Sequence, residues 1–522
     1  MLIRRYEFLR YFYIACFMLD TLQKIDASSA GTPSNSMVKT KQILVVIHLC
    51  SFLVLLYSLS MIPPLLMGLL YKEKSAFSFF YTLVLAATLG GLGWLGTRQS
   101  KVQLRTQDGF LIIVMFWLLF SAISALPLWL DDTLNVRLVD AMFEGVSGIT
   151  TTGASVLNDV SSVPKSFLYY RSQLNFIGGL GVIVLAVAVL PLLGIGGAKL
   201  YQSEMPGPFK EERLTPRLAD TSKNLWLIYL GLGLACTVAF RLAGMPWFDA
   251  LCHGISTVSL GGFSTRNESL GYYDSSAVEM VGGIFSILAA VNFTLYFVAI
   301  GRRSVKPLYR NPELRFFLLI LSIVVAIVCI ELYRSGMYSV KDAFVHGFFL
   351  TSSMMTDNGL AIADYIKIPS HTIMLLLAAS FFGGCVGSTC GGIKALRFLI
   401  MYKQSRLEIN QLVHPNAIYT IKVGNAPIQD RVLRSVWSFF FLYVLFTCLF
   451  IWLLNLMGYD LVTAFATVAA CINNMGLGYG ETAAGFGTLN DAAKWLMCAA
   501  MLLGRLEIYP MLILCSRAFW RF

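Results

Sequence analysis

Apolar residues run through this chain in ten long stretches, which are separated by shorter polar segments. Crossing the hydrocarbon core of a bilayer takes about 20 apolar residues in a helix. The stretches that are long enough are 43–71, 76–96, 109–130, 167–193, 224–243, 277–300, 314–333, 369–402, 435–457 and 492–516. The pattern predicts an all-α polytopic membrane protein with ten spans.

Composition supports a membrane protein and argues against most soluble classes. Of the 522 residues, 57% are hydrophobic and 13% are charged, whereas about a quarter of the residues in an average soluble domain are charged. The sequence contains no P-loop lysine motif, no HExxH motif and no nucleophile elbow. We therefore expect that the chain is not an enzyme and carries no cofactor. The eleven cysteines include no CxxC pair, so we interpret them as reduced packing residues.

The distribution of Lys and Arg predicts the orientation of the spans. If the N-terminus is cytoplasmic, the inner segments carry 28 of the 40 basic residues and the outer connections carry nine. Cytoplasmic loops of membrane proteins carry this excess, so we expect both termini in the cytoplasm. The net charge of +11 then needs no nucleic-acid partner. Residues 1–36 are either an interfacial helix or an extension upstream of Met37, and we assign them no function.

Four of the outer connections contain apolar stretches that are too short to span a bilayer. They cover residues 138–150, 247–259, 341–355 and 461–473. Non-helical backbone at membrane depth is tolerated only when it is buried in protein or lines a cavity. We therefore interpret each stretch as a re-entrant half-helix followed by an extended segment.

A motif centred on one glycine follows each short stretch. The motif residues are Thr151, Thr152, Gly153, Leu260, Gly261, Gly262, Asp357, Asn358, Gly359, Asn474, Met475 and Gly476. An Asp-Ala or Thr-Ala pair precedes the glycine by 13 residues in three units, whereas Asp342 precedes Gly359 by 17. The third half-helix is thus expected to be about a turn longer.

In this interpretation the chain contains four repeats, each made of a helix, a re-entrant loop and a second helix. Four such repeats imply pseudo-fourfold symmetry about one central pore. The predicted segments are a cytoplasmic extension (1–42), two additional transmembrane helices (43–97) and four pore repeats (98–200, 201–301, 302–410 and 411–522).

Four glycine loops from one chain have the parts of a cation selectivity filter. A ring of backbone carbonyls can replace the hydration shell of a monovalent cation. Glycine permits positive φ and close approach of backbones, and the C-terminal ends of half-helices add negative dipole character. One glycine-rich turn is common in ordinary loops. Four glycine-centred turns, each at the same place after a short apolar stretch, favour a selectivity filter.

On these motifs the chain resembles the superfamily of potassium transporters that includes the Trk, Ktr and HKT proteins, and within it the bacterial TrkH-type subunit. The resemblance covers about residues 40–522. It rests on T-T-T-G-A-S at 150–155, G-G-F-S-T at 261–265, G-G-C-V-G-S-T-C-G-G-I-K at 383–394 and G-R-L-E-I at 504–508. Asp357 departs from the Thr-Thr-Gly pattern that is commoner in relatives.

The resemblance implies potassium uptake across the bacterial inner membrane, with sodium and rubidium as further candidate ions. It also implies a homodimer embedded in membrane lipid and a separate cytoplasmic TrkA-type nucleotide-binding subunit. Passive flux, sodium symport and proton symport all remain open.

The glycine-rich segment 383–394 and one arginine are the gate candidates. Five glycines in ten residues argue against a regular helix, and a packing role for small residues explains them poorly. The resemblance implies an intramembrane loop that obstructs the pore, and a pore-facing Arg505 that acts as an electrostatic barrier. Lys394 is either part of this gate or an anchor at the cytoplasmic end. The gate residues are Gly383, Gly384, Gly387, Ser388, Gly391, Gly392, Lys394 and Arg505.

A second hypothesis is a secondary active transporter with broken helices that couples a small solute to sodium or protons. That architecture predicts two interrupted segments in opposite topology. Because the four motifs all fall on one predicted side, the sequence favours a pore.

Overall fold

The computed structural model describes residues 35–98, 106–157, 159–192, 218–362, 365–416, 420–424, 426–428 and 430–520. The chain is mostly helical over these residues. The sequence predictions for residues 1–34 lie outside the described residues.

The first described helices pack closely together. They are α1 (Asn35–Ser58), α2 (Ile62–Leu70) and α3 (Ala76–Gly96). Prolines occupy the first turn of α2, where a missing backbone N–H costs no helical hydrogen bond. A Cβ atom at Gly90 would lie 2.8 Å from the backbone nitrogen of Leu55, so the glycine permits the close crossing of α1 and α3.

Helices continue along the rest of the chain, joined by turns and short extended segments. In order they are α4 (Thr106–Leu130), α5 (Leu138–Ile149), α6 (Lys165–Leu192), α7 (Leu218–Leu242), α8 (Trp247–Ser259), α9 (Ser276–Ala289), α10 (Phe293–Gly301), α11 (Lys306–Arg310), α12 (Pro312–Arg334), α13 (Val340–Met355), α14 (Ser370–Ser380), α15 (Ala395–Val413), α16 (Asp430–Leu456), α17 (Leu461–Ile472), α18 (Asp491–Arg505), α19 (Tyr509–Cys515) and α20 (Arg517–Trp520). A short antiparallel hairpin, β1 (Lys422–Val423) and β2 (Ala426–Pro427), precedes α16.

Four short helices, α5, α8, α13 and α17, fall on the four short apolar stretches of the sequence. They have 12, 13, 16 and 12 residues, so the third is about a turn longer, as the offset of Asp342 predicts. Side chains cap two of them: Ser339 accepts from the backbone N–H of Asp342, and Asp460 accepts from that of Val462. Their C-terminal halves are buried in protein, which satisfies the condition for irregular backbone within a membrane.

Six helical segments of the described chain are long and apolar enough to cross a membrane, or eight if each of two bent pairs is one span. The bent pairs correct the prediction that 277–300 and 492–516 are continuous helices. Between α9 and α10 the chain turns by 83°, and between α18 and α19 by 113°. Asn292 caps the N-terminus of α10, and Glu507 and Ile508 have φ of 53° and 65°, which no helix accommodates.

Candidate functional site

The four loops that follow α5, α8, α13 and α17 share one backbone conformation. In each, the first motif residue and the glycine two positions later both have positive φ. The φ values are 57° and 76° at Thr151 and Gly153, 54° and 68° at Leu260 and Gly262, 60° and 74° at Asp357 and Gly359, and 58° and 83° at Asn474 and Gly476. Non-glycine residues rarely adopt this conformation, so its fourfold recurrence is a specific structural feature.

The same hydrogen bond ends each of the four short helices. The backbone N–H of the middle motif residue donates to the carbonyl five residues earlier, as in a Schellman motif. The pairs are Thr152 to Ser147 at 2.8 Å, Gly261 to Ser256 at 3.0 Å, Asn358 to Ser353 at 2.8 Å, and Met475 to Ala470 at 2.9 Å. The four loops are therefore equivalent in local structure although their sequences differ.

The glycines of the four loops form a closed ring of contacts. The Cβ atom of an alanine at each glycine would collide with a carbonyl oxygen of the next loop. These distances are 2.2 Å from position 153 to Gly261, 2.4 Å from 262 to Asn358, 1.9 Å from 359 to Met475, and 2.1 Å from 476 to Thr152. The fourth loop thus returns to the first, and only glycine fits at the four positions.

Side chains tie the ring to the surrounding helices. Asn474 donates to Thr152 Oγ1 at 2.9 Å and to the Met501 carbonyl at 3.0 Å. Asn358 donates to Ser286 Oγ at 2.7 Å. These bonds connect the motif loops to α9 and α18, so the ring is held by its neighbours as well as by its own backbone.

A buried ion pair joins the first and second loops. Arg171 Nε lies 3.1 Å from Glu144 Oε2, with side-chain exposures of 3% and 0%. Glu144 also accepts hydrogen bonds from Ser155 and Val156, while the Arg171 guanidinium lies 4.0 Å from the Phe263 ring centroid. The pairing could not be predicted from the sequence, because helical periodicity does not show which residues meet in the folded chain.

Breaking this pair is expected to destabilise the protein strongly. Glu144→Gln leaves the Arg171 charge buried without its partner, which should cost about 3–5 kcal/mol. Thermal unfolding of the purified protein in detergent measures the loss. The control is Glu331→Gln, which breaks the exposed Glu331–His371 pair and should cost about 1 kcal/mol or less. Equal shifts in melting temperature would contradict a special role for the buried pair.

Further ion pairs flank the short helices. Lys494 binds Asp140 at 2.7 Å, and Arg266 binds Asp249 at 3.0 Å. These two aspartates are the ones that recur 13 residues before a motif glycine. Asp159 lies in the segment between α5 and α6, and a hydrogen bond from Asn267 lowers the pKa of its carboxyl below the ordinary value. The Lys494–Asp140 pair therefore links the first repeat to the fourth. The Asn267–Asp159 bond links the segment after the first loop to the segment after the second.

The glycine-rich segment between α14 and α15 is not helical. Its backbone is anchored by hydrogen bonds to three elements: Val386 N–H to Glu313 Oε1 at 2.7 Å, Cys385 N–H to the Ala290 carbonyl at 2.9 Å, and Phe293 N–H to the Gly387 carbonyl at 3.1 Å. The segment therefore packs into the break between α9 and α10. Sequence reasoning missed the break at 290–292 and the anchor Glu313.

The same segment lies against the C-terminal ends of three short helices. Thr389 Oγ1 donates to the Val258 carbonyl of α8 at 3.2 Å. A Cβ atom at Gly391 would lie 1.8 Å from the carbonyl oxygen of Asn473, and one at Gly392 would lie 3.3 Å from Asp357 Oδ2. Small residues thus allow the segment to pack directly beside the ring of glycine loops.

Arg505 bridges this segment to α6. Its guanidinium donates to the carbonyls of Thr389 at 3.1 Å, Gly178 at 2.7 Å and Gly179 at 3.3 Å. The guanidinium also lies 5.7 Å from the Trp117 ring centroid. Arg505 is therefore brought together with the predicted gate segment, which the sequence alone could not establish.

Lys394 and Glu507 both contact groups in or next to the gate segment. Lys394 is 8% exposed and its ammonium donates to the Cys390 carbonyl. Glu507 pairs with Arg397 at 2.5 Å, and the Arg397 guanidinium lies 3.9 Å from the Phe439 ring centroid. The sequence could not identify Arg397, whose position in α15 resembles that of other basic residues near a predicted cytoplasmic end.

The chain is similar to known cation transport proteins over most of its length. A family model described as "TrkH: Cation transport protein" matches residues 75–521. The chain is 65% identical over 484 residues to the Trk system potassium uptake protein TrkG of Escherichia coli strain K12, with 93% of this chain and 100% of the relative covered. It is 41% identical over 478 residues to the Trk system potassium uptake protein TrkH of Halomonas elongata, with 91% and 99% covered. A crystal structure of the potassium transporter TrkH from Vibrio parahaemolyticus matches with a TM-score of 0.84 at 41% identity, covering 92% of this chain and 100% of that one.

Proposed function

Because this chain belongs to the TrkH family of cation transport proteins, we propose that it takes up potassium ions across the bacterial inner membrane. The observation that carries the proposal is the closed ring of four glycine loops, each of which follows a short buried helix. Its relatives by sequence are named as potassium uptake proteins and not as enzymes.

The ring is proposed to be the selectivity filter. Backbone carbonyls of the four loops take the place of water around a dehydrated potassium ion. Glycine at positions 153, 262, 359 and 476 keeps the loops at the distance that this coordination needs, and positive φ orients their peptide groups. The C-terminal ends of the short helices supply a negative electrostatic potential.

The glycine-rich segment 383–394 is proposed to be the gate, together with Arg505. The segment packs beside the ring, and the guanidinium of Arg505 is bonded to it and to α6. A fixed positive charge at this place raises the barrier to a cation. Opening then requires that the segment withdraws and that the charge moves.

The wider organisation is part of the same proposal. Ten spans, four pseudo-symmetric repeats, cytoplasmic termini, a homodimer and a TrkA-type regulatory subunit complete the transport system. The equivalence of the four loop conformations supports the repeats, and the excess of Lys and Arg in the predicted inner segments supports the orientation. A ring made of four loops favours a pore over a secondary transporter with two inverted halves.

The direct test is growth of a potassium-uptake-deficient bacterium on low potassium. Expression of the chain should restore growth and rubidium uptake, and co-expression of a TrkA-type subunit should increase both. A Gly476→Asp variant, which places a charged side chain in the ring, is the negative control. Absence of rescue at normal membrane abundance would contradict potassium uptake.

A further inference from the structure

One ionisable side chain stands out beside the ring of glycine loops. The first motif positions hold Thr151, Leu260, Asp357 and Asn474, of which only the aspartate is ionisable. Asp357 is 0% exposed. Among the residues that the structure describes, neither of its carboxylate oxygens has a hydrogen-bond partner. Buried carboxylates without partners are rare, because an unpaired charge in a protein interior is costly unless it is paired or binds a metal ion.

The surroundings of Asp357 make a bare carboxylate less favourable still. It follows the C-terminal end of α13, where the helix dipole is negative. Its Oδ2 atom lies 3.3 Å from where a Cβ atom of residue 392 would be, so Gly392 leaves space beside the oxygen. A negative group at a negative helix end calls for a positive charge nearby.

The two basic side chains in the neighbourhood are bound elsewhere. Lys394 and Arg505 both act electrostatically on Asp357. However, the Lys394 ammonium donates to the Cys390 carbonyl, and Arg505 donates to the carbonyls of Thr389 and Gly178. Within the described part of the chain, the carboxylate oxygens therefore keep their lone pairs for a ligand.

A second oxygen without a donor among the described residues, Asn474 Oδ1, lies 3.0 Å from where a Cβ atom of residue 504 would be. The Asn474 side chain packs against Gly391, with its Cβ atom 3.3 Å from where a Cβ of residue 391 would be. Its amide nitrogen donates to Thr152 and Met501. The oxygens of Asp357 and Asn474 thus lie beside different glycines, Gly392 and Gly504, and the carboxylate is the one that faces the gate segment.

We propose that Asp357 binds a monovalent cation at the face of the ring that meets the gate segment, with its carboxylate as the side-chain ligand. The proposal rests on the proposed function and adds an ion position made by a side chain to the backbone filter. A bound cation neutralises the carboxylate beside Gly392 and raises the local potassium concentration next to the gate segment. Asp357 is therefore a determinant of ion affinity that three of the four loops lack.

The experiment measures cation-dependent stability of the purified full-length protein. Melting temperatures are recorded in increasing potassium chloride or rubidium chloride, with choline chloride keeping the ionic strength constant. A ligand that binds only the folded protein raises its stability in proportion to the logarithm of its concentration above the dissociation constant. In Asp357→Asn the potassium concentration for half-maximal stabilisation should rise about tenfold, which corresponds to about 1.4 kcal/mol.

Matched variants separate the ion site from a general charge effect. Asp342→Asn removes a carboxylate from the first turn of the same helix, away from the ring, and should leave the potassium dependence unchanged. Asp357→Glu keeps the charge and should retain much of the dependence. If Asp357→Asn does not yield folded protein, the comparison of Asp357→Glu with Asp357→Thr, the residue of the first loop, provides the same test.

Two results would overturn the proposal. An unchanged half-maximal potassium concentration in Asp357→Asn would show that the carboxylate binds no cation. Asp357→Asn could instead lower the melting temperature equally in potassium and in choline, with the double variant Asp357→Asn/Lys394→Met restoring it. That result would show that Asp357 is only the counter-ion of Lys394. Both readouts are independent of transport. Failure of growth rescue by the unmodified chain would therefore reject the proposed function without deciding the ion site.

Discussion

Replacing Arg505 with alanine is expected to raise potassium flux about a hundredfold. Two unit charges about 6 Å apart repel by about 3 kcal/mol at an effective dielectric constant of about 20. Removing a barrier of that size speeds passage about a hundredfold, since about 1.4 kcal/mol corresponds to a factor of ten. The expected measurement is rubidium flux into liposomes, normalised to the amount of folded protein.

The contacts of Arg505 add a second reason for the same direction. The guanidinium holds the gate segment to α6 through the carbonyls of Thr389 and Gly178. Alanine removes this bridge as well as the charge, so the segment is freer to withdraw. Arg505→Lys keeps the charge but cannot make the same forked set of bonds. Its flux should fall between those of the unmodified protein and of Arg505→Ala.

The opposite result would identify Arg505 as a structural residue. Loss of three hydrogen bonds to carbonyls could open the bundle and lower both flux and melting temperature. Arg334→Ala, at the exposed C-terminal end of α12, is the control for the loss of one positive charge. Slower flux together with a lower melting temperature in Arg505→Ala alone would contradict its assignment to the gate.

The short helices and their loops could be predicted from the sequence because their signals are local. Apolar length distinguishes α5, α8 and α17 from the spanning helices, and one glycine marks each loop. Even the longer α13 follows from the distance between Asp342 and Gly359. Such features depend on a dozen neighbouring residues and on general limits of membrane structure.

The break within 277–300 could not be predicted in the same way. Apolar residues run through this stretch without a proline, so hydropathy indicates a continuous helix. The turn at Asn292 depends on a partner that is distant in sequence, since the Phe293 N–H donates to the Gly387 carbonyl. The break within 492–516 does have a local sign, because Pro510 lies in the first turn of α19, a position that proline favours. Its pairing of Glu507 with Arg397 is a tertiary contact that the sequence does not show.

The contacts among charged residues show the same limit. Arg171 lies in the apolar stretch 167–193, and Glu144 lies in the short apolar stretch 138–150. Their pairing, and the stacking of Arg171 on Phe263, appear only in the folded chain. A general rule that every charge in the membrane pairs with an opposite charge nearby would suggest this pair. Such a rule would not show that the pair lies between the first and second loops.

Gly359→Ala is expected to lower discrimination between potassium and sodium by about tenfold or more, because the ring has no space for a side chain. Its Cβ atom would lie 1.9 Å from the Met475 carbonyl oxygen, which is backbone and cannot rotate away. Overpacking of this kind costs about 1–3 kcal/mol, in addition to about 1 kcal/mol for alanine at positive φ. If about 1.4 kcal/mol of this free-energy cost goes into distorting the carbonyl ring, the preference for potassium over sodium falls about tenfold. If more of the cost goes into the distortion, the preference falls further.

The matched control is Gly336→Ala, which carries the conformational cost without the collision. Gly336 has φ of 71°, close to the 74° of Gly359, but an added Cβ atom there meets nothing within 4 Å. This variant should lose only about 1 kcal/mol of stability and keep the rubidium-to-sodium uptake ratio of the unmodified protein. Uptake of both ions in cells, compared at equal membrane abundance, decides between the two effects. An unchanged ratio in Gly359→Ala would mean that the loops are ordinary turns, since a selectivity filter cannot absorb a displaced carbonyl without losing its preference.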